Sequence, residues 1–312
     1  MSLDEAFGRY WDEAAKDFAQ PKNDLSRMKA ITKILQKDTP FHQIDDDAVS
    51  KLISRLRGIS SKTRLGHLIS NSTINRYVEC LRRVWRRAAK TWKIEVGDEP
   101  DWGKLLLREQ AERVRELSKA EEKALFIHLR TDFHPMVRFA LMAGMRLHNV
   151  VALTWSQVDL DNRTINIRLK SKMPGGRPHS IPLTSAMAKL LEECLEEHPT
   201  YVFTYVCEKS RGKRKKGERY PFTQNGWRKS WATALTAAKI VDFRFHDIRH
   251  TAATRTLRAT GNIKAVKEML GHNDIATTNR YAHVTSDDVR AAMEKAQSRT
   301  IPAAKATDST TR

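Results

Sequence analysis

The segment HDIRHTAATRTL, residues 246–257, contains side chains that could do chemistry. On a helix, His246 and Arg249 are three residues apart and share a face. His246 and His250 are four apart, so the segment is also similar to the HExxH zinc pattern of metalloproteases, although Asp247 replaces the glutamate and Arg249 would place a cation beside the metal. A lone His–Arg pair on a helix is more often solvent-exposed and inert, so a function here needs support from elsewhere in the chain.

Other side chains with chemical potential precede and follow this segment. Arg146 comes just after a glycine break at Gly144, and Lys172 lies at the edge of a predicted hairpin turn. Tyr281 follows His272 by nine residues, with a loop or short helix expected between them. In chain order the set is Arg146, Lys172, His246, Arg249, His272 and Tyr281.

This ordered set resembles the motifs of the tyrosine recombinases, the phage-integrase, Cre and Xer superfamily. The matching segments are GMR at 144–146, LTWSQVD at 153–159, Lys172 ahead of IPL at 181–183, HDIRH at 246–250, LGH at 270–272, and Tyr281 nine residues later. The resemblance covers about 118–290 strongly, and 1–96 weakly as a helical region similar to the core-binding domain of that family.

The resemblance implies a mainly α-helical fold with a small β-hairpin or sheet in the catalytic domain. A helical N-terminal core-binding domain and a mixed α/β catalytic domain would form a clamp around duplex DNA. The implied reaction is site-specific cutting and rejoining of DNA through a covalent 3′-phosphotyrosine and a Holliday junction, with no metal, ATP or other cofactor. Implied partners are specific attachment sites in double-stranded DNA, a homotetramer, and accessory or directionality factors.

The same resemblance assigns roles to the six residues. Arg146 and Arg249 would stabilise the phosphate charge, because guanidinium groups fork onto phosphate oxygens and stay charged. The remaining roles are nucleophile for Tyr281, base for His246, phosphate hydrogen-bonding partner for His272 and general acid for Lys172. A helix over 286–296 is expected to dock onto a neighbouring subunit.

Three features depart from the family pattern. Asn149 stands where an acidic residue is common; its amide can accept a hydrogen bond but supplies no negative charge. The hairpin at Lys172 is slightly long, which leaves Lys170 as an alternative general acid. No small arm-binding domain is expected ahead of residue 1.

Composition points to the same class of partner. The 312 residues include 56 Lys and Arg against 37 Asp and Glu, a formal charge of +19 that favours DNA, RNA or an anionic membrane surface. No run of about 18 apolar residues predicts a transmembrane helix, and the acidic, amphipathic N-terminus is unlike a signal peptide. The scattered Cys80, Cys194 and Cys207 favour a reducing compartment. We therefore expect a soluble protein of the cytoplasm, associated with the nucleoid.

Periodicity and punctuation predict the domains. We expect a helical domain over 1–96, a linker over 97–117, a catalytic domain over 118–296 and a flexible tail over 297–312. Asp24 is expected to cap a second helix, Asp45 or Asp46 a third, and Ser118 with Glu121 to form a capping box. Residues 164–183 alternate and turn as a β-hairpin.

Two basic stretches are candidate DNA contacts. A helix from about Ser72 to Trp92 carries many cations against the single acid Glu79, and residues 208–219 hold seven basic and two acidic residues. The residues predicted to bind DNA are Arg76, Arg83, Arg87, Lys213, Arg214 and Lys215. Binding through such contacts should be strongly salt-sensitive.

Three other functions remain open at this point. A type IB topoisomerase-like enzyme would use the same chemistry without paired sites. A binding-only protein with a decayed site is suggested by Asn149. A zinc hydrolase is suggested by HDIRH, although the sequence shows no clear third ligand.

Overall fold

A computed structural model describes residues 1–14, 18, 21–61, 66–110, 113, 115–171, 175–210, 212–223, 225–281, 290, 293–294 and 297. The chain divides into two compact units, Met1–Glu112 and Arg113–Arg312, so the boundary falls inside the segment 97–117 that was predicted as a linker. Within these ranges, no helix has the length and apolar character needed to cross a membrane.

The described part of the first unit is helical. Its helices are α1 (Leu3–Ala14), α2 (Pro21–Leu35), α3 (Asp46–Arg57), α4 (Asn71–Arg87) and α5 (Trp102–Leu105), with a 3-10 turn at Phe41–Gln43 and a π turn at Ala88–Trp92. The apolar stripes of α1 to α4 meet in one core that includes Leu3, Ile31, Leu52 and Leu81, all fully buried. Burial of these stripes holds the helices together, since short helices are marginal on their own.

An aspartate was predicted to cap the N-terminus of both α2 and α3, and only the cap of α3 is confirmed. Asp45 caps α3 as expected, accepting a hydrogen bond from Ala48 N at 2.9 Å. The prediction that Asp24 caps α2 was wrong. The helix already begins at Pro21, whose fixed φ suits a first helical position, and Asp24 is buried inside it, bonded to Arg27.

The first half of the predicted linker packs onto α4. The Asn75 amide donates to Leu107 O at 2.8 Å and to the Glu109 carboxylate at 2.9 Å, and its carbonyl accepts from Leu107 N at 2.9 Å. Asn71 donates to Arg108 O at 2.8 Å. Residues 105–109 are therefore an ordered extension of the first unit.

The second unit combines helices with two small antiparallel sheets. Its helices are α6 (Lys119–His128), α7 (His134–Ala143), α8 (Leu147–Val151), α9 (Ser185–Glu192), α10 (Arg228–Ala237), α11 (Phe245–Thr260), α12 (Ile263–Leu270) and α13 (Ala276–Asn279). Its strands are β1 (Val158–Asp159), β2 (Thr164–Leu169), β3 (Arg177–Pro182), β4 (Thr204–Val206) and β5 (Arg219–Pro221), and 3-10 turns lie at Thr131–Phe133 and Trp155–Gln157.

The predicted hairpin over 164–183 is confirmed. The first sheet has the order β1-β2-β3, with Ile165 opposite Ile181 and Leu169 opposite Arg177. β4 and β5 form a second sheet, and the basic segment 208–219 lies between them except for Arg219, which begins β5. The core of this unit contains α7, the inward residues of β2 and aromatic side chains of α10 and α11.

Local signals at two helix ends of this unit are also confirmed. Ser118 and Glu121 form the capping box at the start of α6. Gly144 ends α7 with φ +60°, in the left-handed region that glycine adopts without strain, and α8 follows at Leu147. The predictions for Lys172, for a helix over 286–296 and for a tail over 297–312 fall on residues that, apart from 290, 293–294 and 297, lie outside the described ranges.

Candidate active site

Arg249 joins the ends of two helices. Its side chain is buried on α11 and donates to Gly144 O at 2.8 Å and to Leu270 O at 2.7 Å, the carbonyls at the C-termini of α7 and α12. These carbonyls carry the negative end of each helix dipole. Burial, and then the charge of Arg146, lower the pKa of Arg249 to about 10. The group therefore stays cationic at neutral pH in a fixed orientation.

Arg146 is the second cation of the site. It lies two residues beyond Gly144, at the N-cap of α8. Its charge lowers the pKa of both Arg249 and Tyr281. Among the described residues, neither arginine has a carboxylate within ion-pair distance, and the Arg146 guanidinium donates no hydrogen bond. Two converging cations without an acid are suited to binding an anion.

Tyr281 is buried at 4% exposure beside these arginines. Its ring stacks on His272, with centroids 6.4 Å apart and planes 12° from parallel, and lies 5.5 Å from the ring of His250. Burial raises the pKa of Tyr281, whereas the charges of Arg249, Arg280 and Arg146 oppose the rise. The phenol is therefore protonated at neutral pH and needs a base before it can act as a nucleophile.

His272 follows the glycine turn that ends α12. Its Nδ1 is 2.9 Å from the hydroxyl of Thr278, a fully buried residue of α13. Burial, followed by the charges of Arg249 and Arg146, lowers the pKa of His272 to about 4. The ring is neutral at pH 7, and with Nδ1 engaged by Thr278, Nε2 is the nitrogen left for a ligand.

His246 and His250 lie one turn apart on α11, with ring centroids separated by 5.2 Å. His246 is exposed and His250 is buried. Although His246 is exposed overall, the protein packed around its ring lowers its pKa, burial lowers the pKa of His250, and the charge of Arg249 adds to both effects. Both rings are therefore neutral near pH 7, when they can accept a proton.

Asp247, the acidic residue between these histidines, is already hydrogen-bonded to two neighbouring groups. Asp247 accepts hydrogen bonds from Arg244 N at 2.8 Å and from the Arg113 guanidinium. Within the described ranges, no three His, Cys, Asp or Glu side chains come together as a metal site. The Asp247 carboxylate thus stabilises the N-terminus of α11 and binds Arg113, the first residue of this unit.

The structure brings together five of the six residues singled out in the sequence; the sixth, Lys172, lies outside the described residues. The alternative Lys170 is exposed just after β2. Asn149, on α8, makes no side-chain hydrogen bond to any described residue. Outside the zinc-like HDIRH pattern, no role was predicted for His250, and none was predicted for Thr278. The spacing of His250 from His246 is a signal for the first, and no pattern marks the second.

The predicted DNA-binding arginines of α4 have different surroundings. Arg76 is exposed, with no ion pair to a described residue. Arg83 pairs with Asp24 at 2.8 Å, and Arg87 pairs with Glu13 at 3.0 Å. Two of the three cations therefore already have intramolecular partners.

The predicted DNA-binding residues of the second unit lie in the loop between β4 and β5. Lys213, Arg214 and Lys215 are all exposed. The Arg214 guanidinium lies 5.9 Å from the ring centroids of both Tyr205 and Tyr220, and Lys215 N donates to the Tyr220 hydroxyl at 3.0 Å. These contacts hold a basic loop at the surface.

Two family models match the chain. The phage integrase family matches residues 105–288, and the phage integrase SAM-like domain matches residues 6–97. The first match contains the whole set of candidate site residues.

Proteins of similar sequence include an integrase and a tyrosine recombinase. The integrase of Salmonella phage P22 is 28% identical over 225 residues, which cover 71% of this chain and 54% of that protein. The tyrosine recombinase XerA of Thermococcus kodakarensis is 26% identical over 248 residues, covering 78% and 81%.

The fold is similar to that of DNA-bound integrases. A Tn1549 transposon integrase in complex with a circular intermediate DNA has a TM-score of 0.70 at 17% identity, covering 95% of this chain and 99% of that one. A lambda integrase dimer bound to a COC′ core site has a TM-score of 0.66 at 17% identity, covering 90% and 95%. At these identities the likeness concerns the fold, which is the mainly helical, two-domain fold predicted from the sequence.

Proposed function

The chain belongs to the phage integrase family, and from that premise we propose that it is a site-specific DNA recombinase that works through a covalent 3′-phosphotyrosine at Tyr281. The observation that carries this proposal is a buried tyrosine beside two arginines that have no carboxylate partner among the described residues. This arrangement suits transfer of a phosphoryl group from DNA to a side-chain oxygen.

The two arginines would stabilise the transition state. Tyr281 Oη attacks the phosphorus, the P–O5′ bond breaks, and negative charge builds on the non-bridging oxygens. Arg249 is held by two helix-end carbonyls, so it needs no reorganisation to meet that charge. Arg146 would donate to a second oxygen, since its guanidinium holds nothing else within the described ranges.

The histidines would handle protons and the phosphate. His246, the base implied by the family resemblance, is neutral at pH 7 and would take the Tyr281 proton. His272, held through Nδ1 by Thr278, would meet a phosphate oxygen through Nε2. The lowered pKa values of both residues favour these neutral roles.

A lysine would protonate the leaving 5′ oxygen. Lys172 is our first choice, on the family resemblance, and Lys170 is the alternative. The phosphotyrosine bond keeps the energy of the broken phosphodiester, so rejoining needs no ATP.

The proposed substrate is duplex DNA with specific attachment sites, bound by a homotetramer that exchanges strands through a Holliday junction. Arg76, Arg83 and Arg87 in the first unit, and Lys213, Arg214 and Lys215 in the second, are the proposed phosphate contacts. Accessory or directionality factors would act on the same complex. Since the substrate is genomic DNA, we propose that the protein works in the cytoplasm at the nucleoid.

Trapping of a protein–DNA adduct tests the proposal. Nicked suicide duplexes, tiled from the DNA that flanks the gene, are incubated with wild type and with Tyr281→Phe in the presence of EDTA. We expect an SDS-resistant adduct from wild type and none from the variant. Tyr201→Phe, which removes a hydroxyl elsewhere in the same unit, is the matched control and should form the adduct normally.

Three results would contradict the proposal. An adduct that persists in Tyr281→Phe would mean another nucleophile. Retarded DNA without an adduct on any duplex would favour a binding-only protein, and Asn149→Glu would then test whether the missing acidic group is the cause. Relaxation of supercoiled DNA without recombinant products would instead indicate the topoisomerase-like activity.

A further inference from the structure

Two side chains of β3, Arg177 and His179, lie on the turn that leads to His272. Arg177 Nη2 donates to Gly271 O at 3.2 Å. A Cβ added at Gly271 would lie 3.0 Å from His179 Nε2 and 2.4 Å from Leu169 Cδ1. Both strands of the β2–β3 hairpin therefore contact the backbone of Gly271, which only a glycine allows at this distance.

The contact involves one end of the hairpin. Arg177 is opposite Leu169 in the register, and His179 is opposite Ile167. These pairs lie at the end of the sheet where β2 ends at Leu169 and β3 begins at Arg177. A shift of this end relative to Gly271 would therefore move Lys170, which directly follows β2, and Lys172 comes two residues later in the chain.

His179 is suited to this position only as a neutral ring. Its Nε2 is buried without a partner among the described residues. Burial lowers the pKa of His179, and so do the charges of Arg177 and Arg249, whereas the Met269 carbonyl and Glu268 oppose them. A protonated Nε2 would bury an N–H without an acceptor, which is unfavourable.

The same turn is tied to the arginine and tyrosine of the site. Leu270 O accepts from Arg249, and His272 stacks on Tyr281. One short turn thus contacts the hairpin on one side and the phosphate-binding groups on the other. None of the roles assigned above uses Arg177 or His179.

We propose that Arg177 and His179 are positioning residues that set the β2–β3 hairpin, and with it the general acid, against the phosphate site. The proposal rests on the recombinase function argued above. It predicts that these two side chains affect the protonation of the leaving 5′ oxygen more than the attack by Tyr281. A role limited to supporting the turn would affect both steps.

The test compares two leaving groups in one suicide duplex. In the first duplex, the P–O5′ bond breaks and the 5′ oxygen needs a proton. In the second, sulfur replaces that bridging oxygen, so the P–S bond breaks and a thiolate leaves without a proton. Single-turnover rates of adduct formation are measured on both duplexes for wild type, Arg177→Ala and His179→Ala.

We expect the two variants to lose about 10²-fold on the oxygen duplex, the effect of a small misplacement of a catalytic group, and to be close to wild type on the sulfur duplex. Lys172→Ala should show the same pattern in stronger form. Arg249→Ala should be slow on both duplexes. Asn166→Ala, on the exposed face of β2, is the matched control and should be unchanged on both.

The ratio of the two rates also guards against loss of folded protein, because that loss lowers both rates equally. Arg177→Lys and His179→Gln provide milder changes if the alanine variants unfold. Equal losses on the two duplexes would overturn the positioning role while leaving the recombinase function intact. A wild type that forms no adduct with either duplex would overturn the proposed function itself.

Discussion

The arginines of α4 and those of the candidate active site belong to the same excess of positive charge, yet their surroundings differ. On α4, Arg83 reaches Asp24 and Arg87 reaches Glu13. The carboxylate of Glu13 also accepts hydrogen bonds from Arg9 and Trp92, which hold its pKa at about 2. In the site, Arg146 and Arg249 have no carboxylate partner among the described residues.

This difference shows that a net charge of +19 does not identify which cations can bind an anion. An arginine already paired with a carboxylate must exchange that partner before it binds a phosphate, so part of the gain is lost. Arg249 is instead held by neutral carbonyls, which orient the guanidinium and leave its charge uncompensated. A phosphate site requires a cation whose side chain is oriented but whose charge is not neutralised.

Replacement of Arg249 should have the largest effect. We expect Arg249→Lys to slow adduct formation by about 10²–10³-fold, as for loss of one preorganised donor. Its melting temperature should also fall, because lysine cannot serve both Gly144 O and Leu270 O. Single-turnover cleavage and thermal unfolding measure the two effects, and a normal rate would remove Arg249 from the proposed mechanism.

Replacement of Arg146 should slow the reaction without lowering the stability of the fold. Arg146→Ala should slow adduct formation by a comparable factor of about 10²–10³. Its melting temperature should stay equal to wild type or rise slightly, since it holds no described partner and repels Arg249. A clear loss of stability would mean that Arg146 supports the fold, which would weaken the contrast with Arg249.

Gly271 tests how tightly the turn beside the site is packed. Gly271→Ala should lower the free energy of unfolding by about 1–3 kcal/mol, the usual cost of overpacking, because its φ is +64° and its Cβ would collide with Leu169. The control is Gly8→Ala, in α1 with nothing within 4 Å, which should stabilise the protein by about 0.5–1 kcal/mol through better helix propensity. Urea unfolding compares the two, and equal effects would contradict the close contact between Gly271 and the hairpin.

Two arginines of α4 should differ in their response to salt. Each phosphate contact adds about 0.9 to the slope of log affinity against log salt concentration, so Arg76→Ala should lower that slope by about 1. Arg83→Ala should change the slope less and lower the melting temperature more, because Asp24 loses one of its two partners. Binding titrations on a duplex with the cleavage site measure the two slopes. A larger change of slope for Arg83→Ala than for Arg76→Ala would mean that Arg83 leaves Asp24 to contact DNA.

His272 should give a smaller, pH-dependent effect. Its pKa in the folded protein is about 4, below the ordinary histidine value of 6.5. Between these values the unfolded chain binds more protons, so the stability present above pH 6.5 is lost as pH falls towards 4. His272→Asn, which keeps a polar group near Thr278, should flatten the dependence of unfolding free energy on pH in this window. An unchanged profile would show that the other histidines of the site dominate it.

Local signals in the chain predicted much of the fold and supplied the proposed members of the site. Ser118 with Glu121, Asp45 and Gly144 mark helix ends by capping chemistry that acts within a few residues, and the alternation over 164–183 predicted the hairpin. The order and spacing of the motifs led us to propose Arg146, Arg249, His272 and Tyr281 as site residues. The capping and hairpin predictions are confirmed because they depend on short stretches of chain.

Only the tertiary structure decided which partner each side chain has. Asp24 looked like a helix cap, but it pairs with Arg83, 59 residues away. Arg249 donates to Gly144 O across 105 residues, and Arg177 to Gly271 O across 94. Such contacts depend on how helices and strands pack in three dimensions, and no pattern along the chain encodes them. They nevertheless determine which of the described arginines lack a carboxylate partner, and those are the arginines that we propose bind a phosphate.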